Sequence, residues 1–262
     1  VENIIIHRTG QEWYERIIKT FRDWLGGRIQ RELIYNKFYY NALKKVRPQI
    51  VHIYFGAPGL LLYREIRKLN LPLIVSFLGY DLSQLTTALG EDVYIRNGLF
   101  QNGQLFTVDG NTAKERLIAL GCPPEKVYLL RVGLDLKKYK YKIREKNNVK
   151  PVKILFCGRF VGKKGLLIAI KSIAEVIDRG YKIIFTIIGY GPLKEKALEL
   201  VEKLNIKQNI KFLGMLKQNQ FIEQCYENHF LIAPSQTDVI TGDTETGIPT
   251  VILQAHATGM PV

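Results

Sequence analysis

The chain has 262 residues, 47% of them hydrophobic and 24% charged, a composition that suits two folded α/β cores and excludes a disordered or collagen-like chain. No apolar run approaches the roughly 20 residues that cross a bilayer as a helix, and no signal-peptide pattern opens the sequence; a cytoplasmic protein is expected. The formal charge of +14 is uneven, with 25 Lys and Arg against 14 Asp and Glu in residues 1–150 and 13 against 10 in the remainder. A basic first half attracts nucleic acid, anionic lipid or an anionic substrate, or is a solvated lysine-rich face.

In chain order, residues 11–47 read as helical, with Trp13, Ile17, Phe21, Trp24 and Leu25 at three-to-four spacing and an interruption at Gly26-Gly27. A strand from Ile50 to Phe55 follows, then a turn at Gly56–Gly59, a helix to about Lys68 and a strand from Leu73 to Phe77. Leu105–Val108 is the next strand, before a helix over Thr112–Leu120 and a short strand over Val127–Leu130. The lysine-rich stretch Lys137–Lys150 lacks apolar periodicity, which places a domain boundary near Asn147–Lys150 and divides the chain into domains 1–148 and 149–262. A second alternation then runs through strand 152–157, helix 165–179, strand Ile183–Ile188, helix Leu193–Leu204, strand Ile210–Phe212, helix Gln218–Glu227 and strand Phe230–Ala233. A last helix is expected over Gly247–Ala257, led by Pro249. Such alternation predicts parallel sheets with helical crossovers, in two Rossmann-like domains facing a central cleft.

Cys122, Cys157 and Cys225 lie far apart with neither paired nor metal-type spacing, and read as structural thiols of a reducing compartment. No helix-turn-helix, zinc spacing or RNP-type aromatic motif accompanies the basic surplus, so nucleic acid is not an expected partner and an anionic membrane surface is the better candidate.

The chemistry concentrates where the strand 152–157 runs into Gly158-Arg159-Phe160-Val161-Gly162-Lys163-Lys164-Gly165 and a helix. Arg159 and Lys164 flank a glycine-spaced loop beside a helix start, an arrangement that suits a diphosphate: fixed cations face its oxygens, and glycines let the backbone approach. The alternative is a surface loop whose cations face water. The spacing does not fit a P-loop. Gly189-Tyr190-Gly191-Pro192 begins like a dinucleotide fingerprint, but Lys194 stands where a third glycine belongs, so a tight strand-to-helix turn is the reading from the residues alone.

Five stretches of the second half, Gly158–Gly165, Ile188–Leu193, Phe212–Gly214, Ala233-Pro234-Ser235 and Gly247-Ile248-Pro249 through Pro261-Val262, resemble in order the motifs of family 4 retaining glycosyltransferases of the GT-B fold. In the first half, Pro48–His52, Phe55-Gly56, Gly79-Tyr80-Asp81-Leu82-Ser83, Leu120–Pro123 and Arg131–Asp135 resemble the acceptor domain of exopolysaccharide-building members such as colanic-acid-type enzymes. Relative to that family the chain reads as truncated at both ends, which leaves both domains incomplete.

The resemblance implies transfer of a sugar from a nucleotide-sugar donor, UDP- or GDP-linked, to a saccharide or lipid-linked acceptor with retention. The setting it implies is cell-surface polysaccharide synthesis, on the inner face of the plasma membrane. Arg159 and Lys164 would hold the donor diphosphate, Glu245 would stand near the donor sugar, and Gly158, Gly189, Gly191, Ser235, Gly247 and Gln254 would complete the donor site. His52 and Asp81 would lie on the acceptor side, Asp81 more as a cap or orienting group than as a base. Neither metal nor cofactor is expected.

Three departures from the family's pattern stand out. Gln254 occupies the position of the second of two glutamates spaced by eight, and offers ribose a neutral amide. Glu245 is one residue out of register unless Thr246 is an insertion. Leu78 replaces a histidine that many relatives hold near the reacting sugar. These departures keep a non-catalytic nucleotide-sugar-binding homologue in view, and a same-fold epimerase is a third reading.

Overall fold

The structure is a computed structural model and describes residues 28–144 and 151–262. The expected helical pattern at Trp13–Leu25 and the boundary at Asn147–Lys150 lie outside the described residues. From residue 28 the long helix is present as α1 (Arg28–Val46).

The first sheet is built of β1 (Val51–Tyr54), β2 (Leu73–Phe77), β3 (Leu105–Val108) and β4 (Val127–Leu129), all parallel and in sequential order. The second comprises β5 (Val152–Cys157), β6 (Ile183–Ile188), β7 (Ile210–Gly214) and β8 (Phe230–Leu231), also parallel, in the order β7-β6-β5-β8. All eight predicted strands are therefore present, and so is the parallel pairing.

The apolar patterns that marked these elements are what they bury. In the helix Leu166–Asp178 the buried residues are Leu166, Ala169, Ile170, Ile173 and Ala174, one stripe at three-to-four spacing that packs with Ile154, Phe156, Phe185 and Ile187 of the strands beneath. The first sheet's core is aromatic instead. Phe77 meets Tyr94 edge-on at 5.1 Å between ring centroids, and Phe100 meets Phe106 edge-on at 5.4 Å, an arrangement favoured by the ring quadrupoles.

Three expectations change. Gly56–Gly59 is not a turn but the first turn of a helix, Gly56–Lys68; Pro58 is tolerated there because first-turn amides lack helical partners. The reversal falls one residue earlier, at Phe55, with φ 75°. The last helix starts at Thr250 with Pro249 as its cap, so Gly247–Pro249 stay in loop. Finally, residues 78–104, left without elements by the sequence pattern, hold the short helices Gln84–Leu89, Val93–Arg96 and Leu99–Asn102, separated by Gly90 and Gly98 at φ 99° and 79°.

All three cysteines are free thiols, and burial pushes each up to about 12, too high for a thiolate at neutral pH. Among the described residues no helix is long and apolar enough to cross a membrane.

Candidate functional site

In the second sheet the chain leaves β5 toward β6 and β7, then returns to place β8 on the other side of β5. The order reverses between β5 and β8, and open parallel sheets bind ligands outside the carboxyl ends of their strands at such a reversal. Two segments meet there: the basic loop after β5, residues 158–165, and the loop 232–249 after β8.

Backbone bonds hold the basic loop firmly. Gly158 N donates to the Ile188 carbonyl at 3.1 Å and Phe160 N to the Tyr190 carbonyl at 2.7 Å, while Leu193 N donates to the Phe160 carbonyl at 3.0 Å. Gly189 and Gly191 make this stacking possible, since a β-carbon at Gly189 would stand 1.9 Å from the Gly158 carbonyl oxygen and one at Gly191 would stand 2.7 Å from that of Phe160. Both adopt positive φ, 134° and 150°. The tight turn read from the sequence is therefore a buttress for the loop carrying Arg159 and Lys164. Gly165, at φ 69°, closes that loop under the Pro234 carbonyl oxygen, 1.9 Å from where its β-carbon would be, and so binds the two segments together.

Within the 3₁₀ turn Gly162–Lys164 the two lysines part. Lys164 Nζ reaches Glu245 Oε1 at 2.6 Å, with both side chains about one-fifth exposed; the contact is ionic rather than an aligned hydrogen bond, and Glu245 Oε1 is buried. Lys163 points inward, with its Nζ 3.0 Å from Asp243 Oδ1 and both side chains at most 7% exposed. The Gln236 amide N donates to the Lys163 carbonyl at 2.9 Å and its side chain to the Gly162 carbonyl at 3.1 Å. Alternate acids of one loop, Asp243 and Glu245, thus neutralise adjacent lysines of the other.

Thr246 turns away from this pair. Its side chain bonds Asp109, just past the end of β3, and is buried. Glu245 is thus directed to the basic loop and its neighbour Thr246 to the other sheet. Across that junction the two halves approach closely. A β-carbon at Gly110 would stand 2.3 Å from the Thr246 carbonyl oxygen, and one at Gly247 would stand 2.4 Å from the Asp109 carboxyl carbon. Burial raises the Asp109 carboxyl above its usual range and neighbouring Glu245 adds to this, against the hydrogen bond from Thr246. One Asp109 oxygen is buried with no hydrogen-bond partner among the described residues. Asp109, Lys163 and Asp243 were not singled out in the sequence; the alternation Asp243-Thr244-Glu245 facing Lys163-Lys164 was the available signal.

The acceptor-side candidates lie elsewhere. Asp81 is fully buried, its carboxylate accepting from Gly56 N at 2.8 Å and Leu78 N at 3.1 Å, so it staples the loop after β2 to a helix start. Burial raises it to about 6 against those bonds. His52 lies within β1, its Nε2 2.7 Å from the Ser76 hydroxyl, which in turn contacts the Thr107 hydroxyl at 2.6 Å, and burial lowers its basicity. Ser235 is exposed just beyond β8, and Gln254 is half-buried in the last helix. A hollow of about 190 Å³ lined by Tyr63, Arg67, Leu73 and Gln104 sits at the amino ends of β2 and β3, away from these loops.

Residues 138–262 match the family described as glycosyl transferases group 1. The chain is 30% identical over 221 residues to the amylovoran biosynthesis glycosyltransferase AmsK of Erwinia amylovora, covering 84% of this chain and 53% of that protein. It is 26% identical over 238 residues to the putative colanic acid biosynthesis glycosyltransferase WcaL of Escherichia coli strain K12, covering 90% and 58%. The chain thus spans about half the length of the curated relatives it matches. Among solved structures, Anabaena HepE in complex with UDP-glucose superposes with a TM-score of 0.63 at 15% identity, over 80% of this chain and 58% of that one. A sucrose-phosphate synthase from Thermosynechococcus elongatus gives 0.69 at 16%, over 87% and 58%. These likenesses show the fold, which is GT-B.

Proposed function

Residues 138–262 belong to the glycosyl transferases of group 1, and on that premise we propose that the chain is part of an enzyme that moves a sugar from a nucleotide-sugar donor to a saccharide or lipid-linked acceptor in exopolysaccharide synthesis, with retention. The observation that carries this reading is the basic loop at the switch point of the second sheet, with Arg159 and Lys164 on a backbone fixed by Gly189 and Gly191. The donor bound in HepE and the polymers named for AmsK and WcaL support the donor and product classes.

As the bond between the anomeric carbon and the diphosphate breaks, negative charge grows on the leaving oxygens. A guanidinium and an ammonium already held in place stabilise that charge without reorganising. Lys164 is held against Glu245, so a diphosphate would take over the Glu245 share of that cation and leave the carboxylate to accept hydroxyls of the transferred sugar. Gln254 would serve the ribose through its amide, and Ser235 and Gly247 would line the donor site. This reading uses neither a metal nor a cofactor.

Calorimetric titration with UDP and GDP, on wild type and on Arg159→Ala and Lys164→Ala, tests the assignment. Loss of one charge-assisted contact, worth about 1.5–3 kcal/mol, predicts at least a tenfold fall in affinity for each variant. Unchanged affinity in both removes the diphosphate site. A second reading, a nucleotide-sugar-binding homologue without transfer, is favoured by Leu78, whose amide serves Asp81 and whose side chain can do no acid–base work. Release of nucleotide from a labelled nucleotide sugar decides between the two.

A further inference from the structure

One hydrogen-bonded chain passes from the first half into the basic loop at Lys163. Ser83, immediately after the Tyr80–Leu82 turn that Asp81 fastens, donates to Asp243 Oδ1 at 3.0 Å, and the same oxygen receives the Lys163 ammonium at 3.0 Å. Ser83, Asp243 and Lys163 are all buried. The Asp243 carbonyl accepts from Asp238 N at 2.8 Å, which fixes the carboxylate's backbone.

We propose that Ser83 and Asp243 are positioning residues for the donor loop: through the buried Lys163 ammonium they set the direction in which Lys164 presents its charge. The inference rests on the diphosphate reading of Lys164. In a 3₁₀ turn each residue is rotated about 120° from the last, so drawing Lys163 inward sends the next side chain outward, where the Lys164 stem lies along Gly158, 3.6 Å from where a β-carbon would sit. A buried ion pair is poor evidence for stability, because apolar replacements of similar volume often do as well, whereas fixing one arrangement among several is its better-attested use. The pair here includes a hydroxyl from the opposite half, so the geometry of the donor loop depends on where the acceptor-side loop stands.

The chain carrying Ser83→Ala, Ser83→Thr, Asp243→Asn or the double change Lys163→Met with Asp243→Leu is compared with wild type by thermal melting and by titration with UDP and GDP. Ser83→Ala is expected to melt near wild type yet bind three- to tenfold more weakly, with Ser83→Thr restoring affinity. Asp243→Asn strands the Lys163 charge and loses both stability and affinity. The double change regains the melting temperature but not the affinity, which a purely structural pair would not produce. Wild-type affinity in Ser83→Ala and in the double variant overturns the proposal. If wild type binds neither nucleotide, or binds regardless of Arg159 and Lys164, the diphosphate reading itself has failed and this inference falls with it.

Discussion

The two sheets use their carboxyl ends in opposite ways. In the first, whose described strands run β1-β2-β3-β4 without reversal, Asp81 and His52 are consumed by the fold: past the end of β2 Asp81 holds two backbone amides, while within the strands His52, Ser76 and Thr107 bond one another. In the second, the reversal between β5 and β8 opens a gap into which two loops project side-chain charges, Lys163 paired with Asp243 and Lys164 with Glu245. A group bound by backbone amides is committed to structure; one held by a partly exposed counter-ion can be exchanged for a ligand. Sheet topology, more than residue type, separates the acids that hold the fold from the charges that could do chemistry.

The comparison breaks most visibly at Gly189. With φ at 134° and no room for a β-carbon beside the Gly158 carbonyl, Gly189→Ala combines a backbone region that L-residues rarely enter with a direct clash, and should cost about 3 kcal/mol in urea denaturation, with nucleotide affinity falling too. A variant as stable as wild type would show that the basic loop does not depend on this turn for support.

Asp81→Ala tests the other side of the contrast. Two buried amides lose their acceptor, so about 2 kcal/mol of stability should go, while affinity for UDP or GDP should fall no further than in Ser83→Ala, since Asp81 reaches the donor loop only through the turn before Ser83. The pH dependence has a definite sign. The carboxyl is raised in the fold from 3.8 to about 6, so the native state holds this proton more tightly than the unfolded chain. Between those values, stability from Asp81 therefore increases as pH falls, by up to about 1.4 kcal/mol per unit. The gap between wild type and Asp81→Ala should widen from pH 7 to pH 5. A narrowing gap would mean that the carboxylate is stabilised in its charged form, as a site residue facing cations would be.

What the sequence disclosed follows the same division. Apolar patterning is a local property, and it located the strands, most of them short apolar runs buried on both faces, and the helix Leu166–Asp178 by its one buried stripe. The loop Gly158–Gly165 was legible for the same reason, as the point where a continuous apolar strand run gives way to a helical period. The partition of labour inside that loop was not legible: Lys163 and Lys164 are identical in sequence terms, and only the 3₁₀ turn and the placement of Asp243 send one inward. Gly56–Gly59 misled because glycine and proline also serve the first turn of a helix. Asp109 was hidden because its neighbours, Thr246 and Gly247, lie in the other half and are brought to it only by the tertiary fold.

The smallest effect sharpens the contrast from within the second half, where ion pairs of opposite burial coexist. Glu175 and Arg179 pair one turn apart on the exposed face of the helix Leu166–Asp178 and its cap, each about two-thirds exposed, against at most 7% for Lys163 and Asp243. An exposed i, i+4 pair with the acid first contributes about 0.3–0.5 kcal/mol, and salt screens it. Glu175→Gln should therefore shift denaturation by no more than that amount, with the difference vanishing in 1 M salt, and should leave nucleotide affinity alone. The same deletion of charge at Asp243 leaves a buried ammonium without its paired carboxylate, so the consequence of losing a carboxylate is set by where its cation sits and not by the pairing itself. A loss above about 1 kcal/mol for Glu175→Gln, undiminished by salt, would remove burial as the criterion for telling the positioning pair from the surface one.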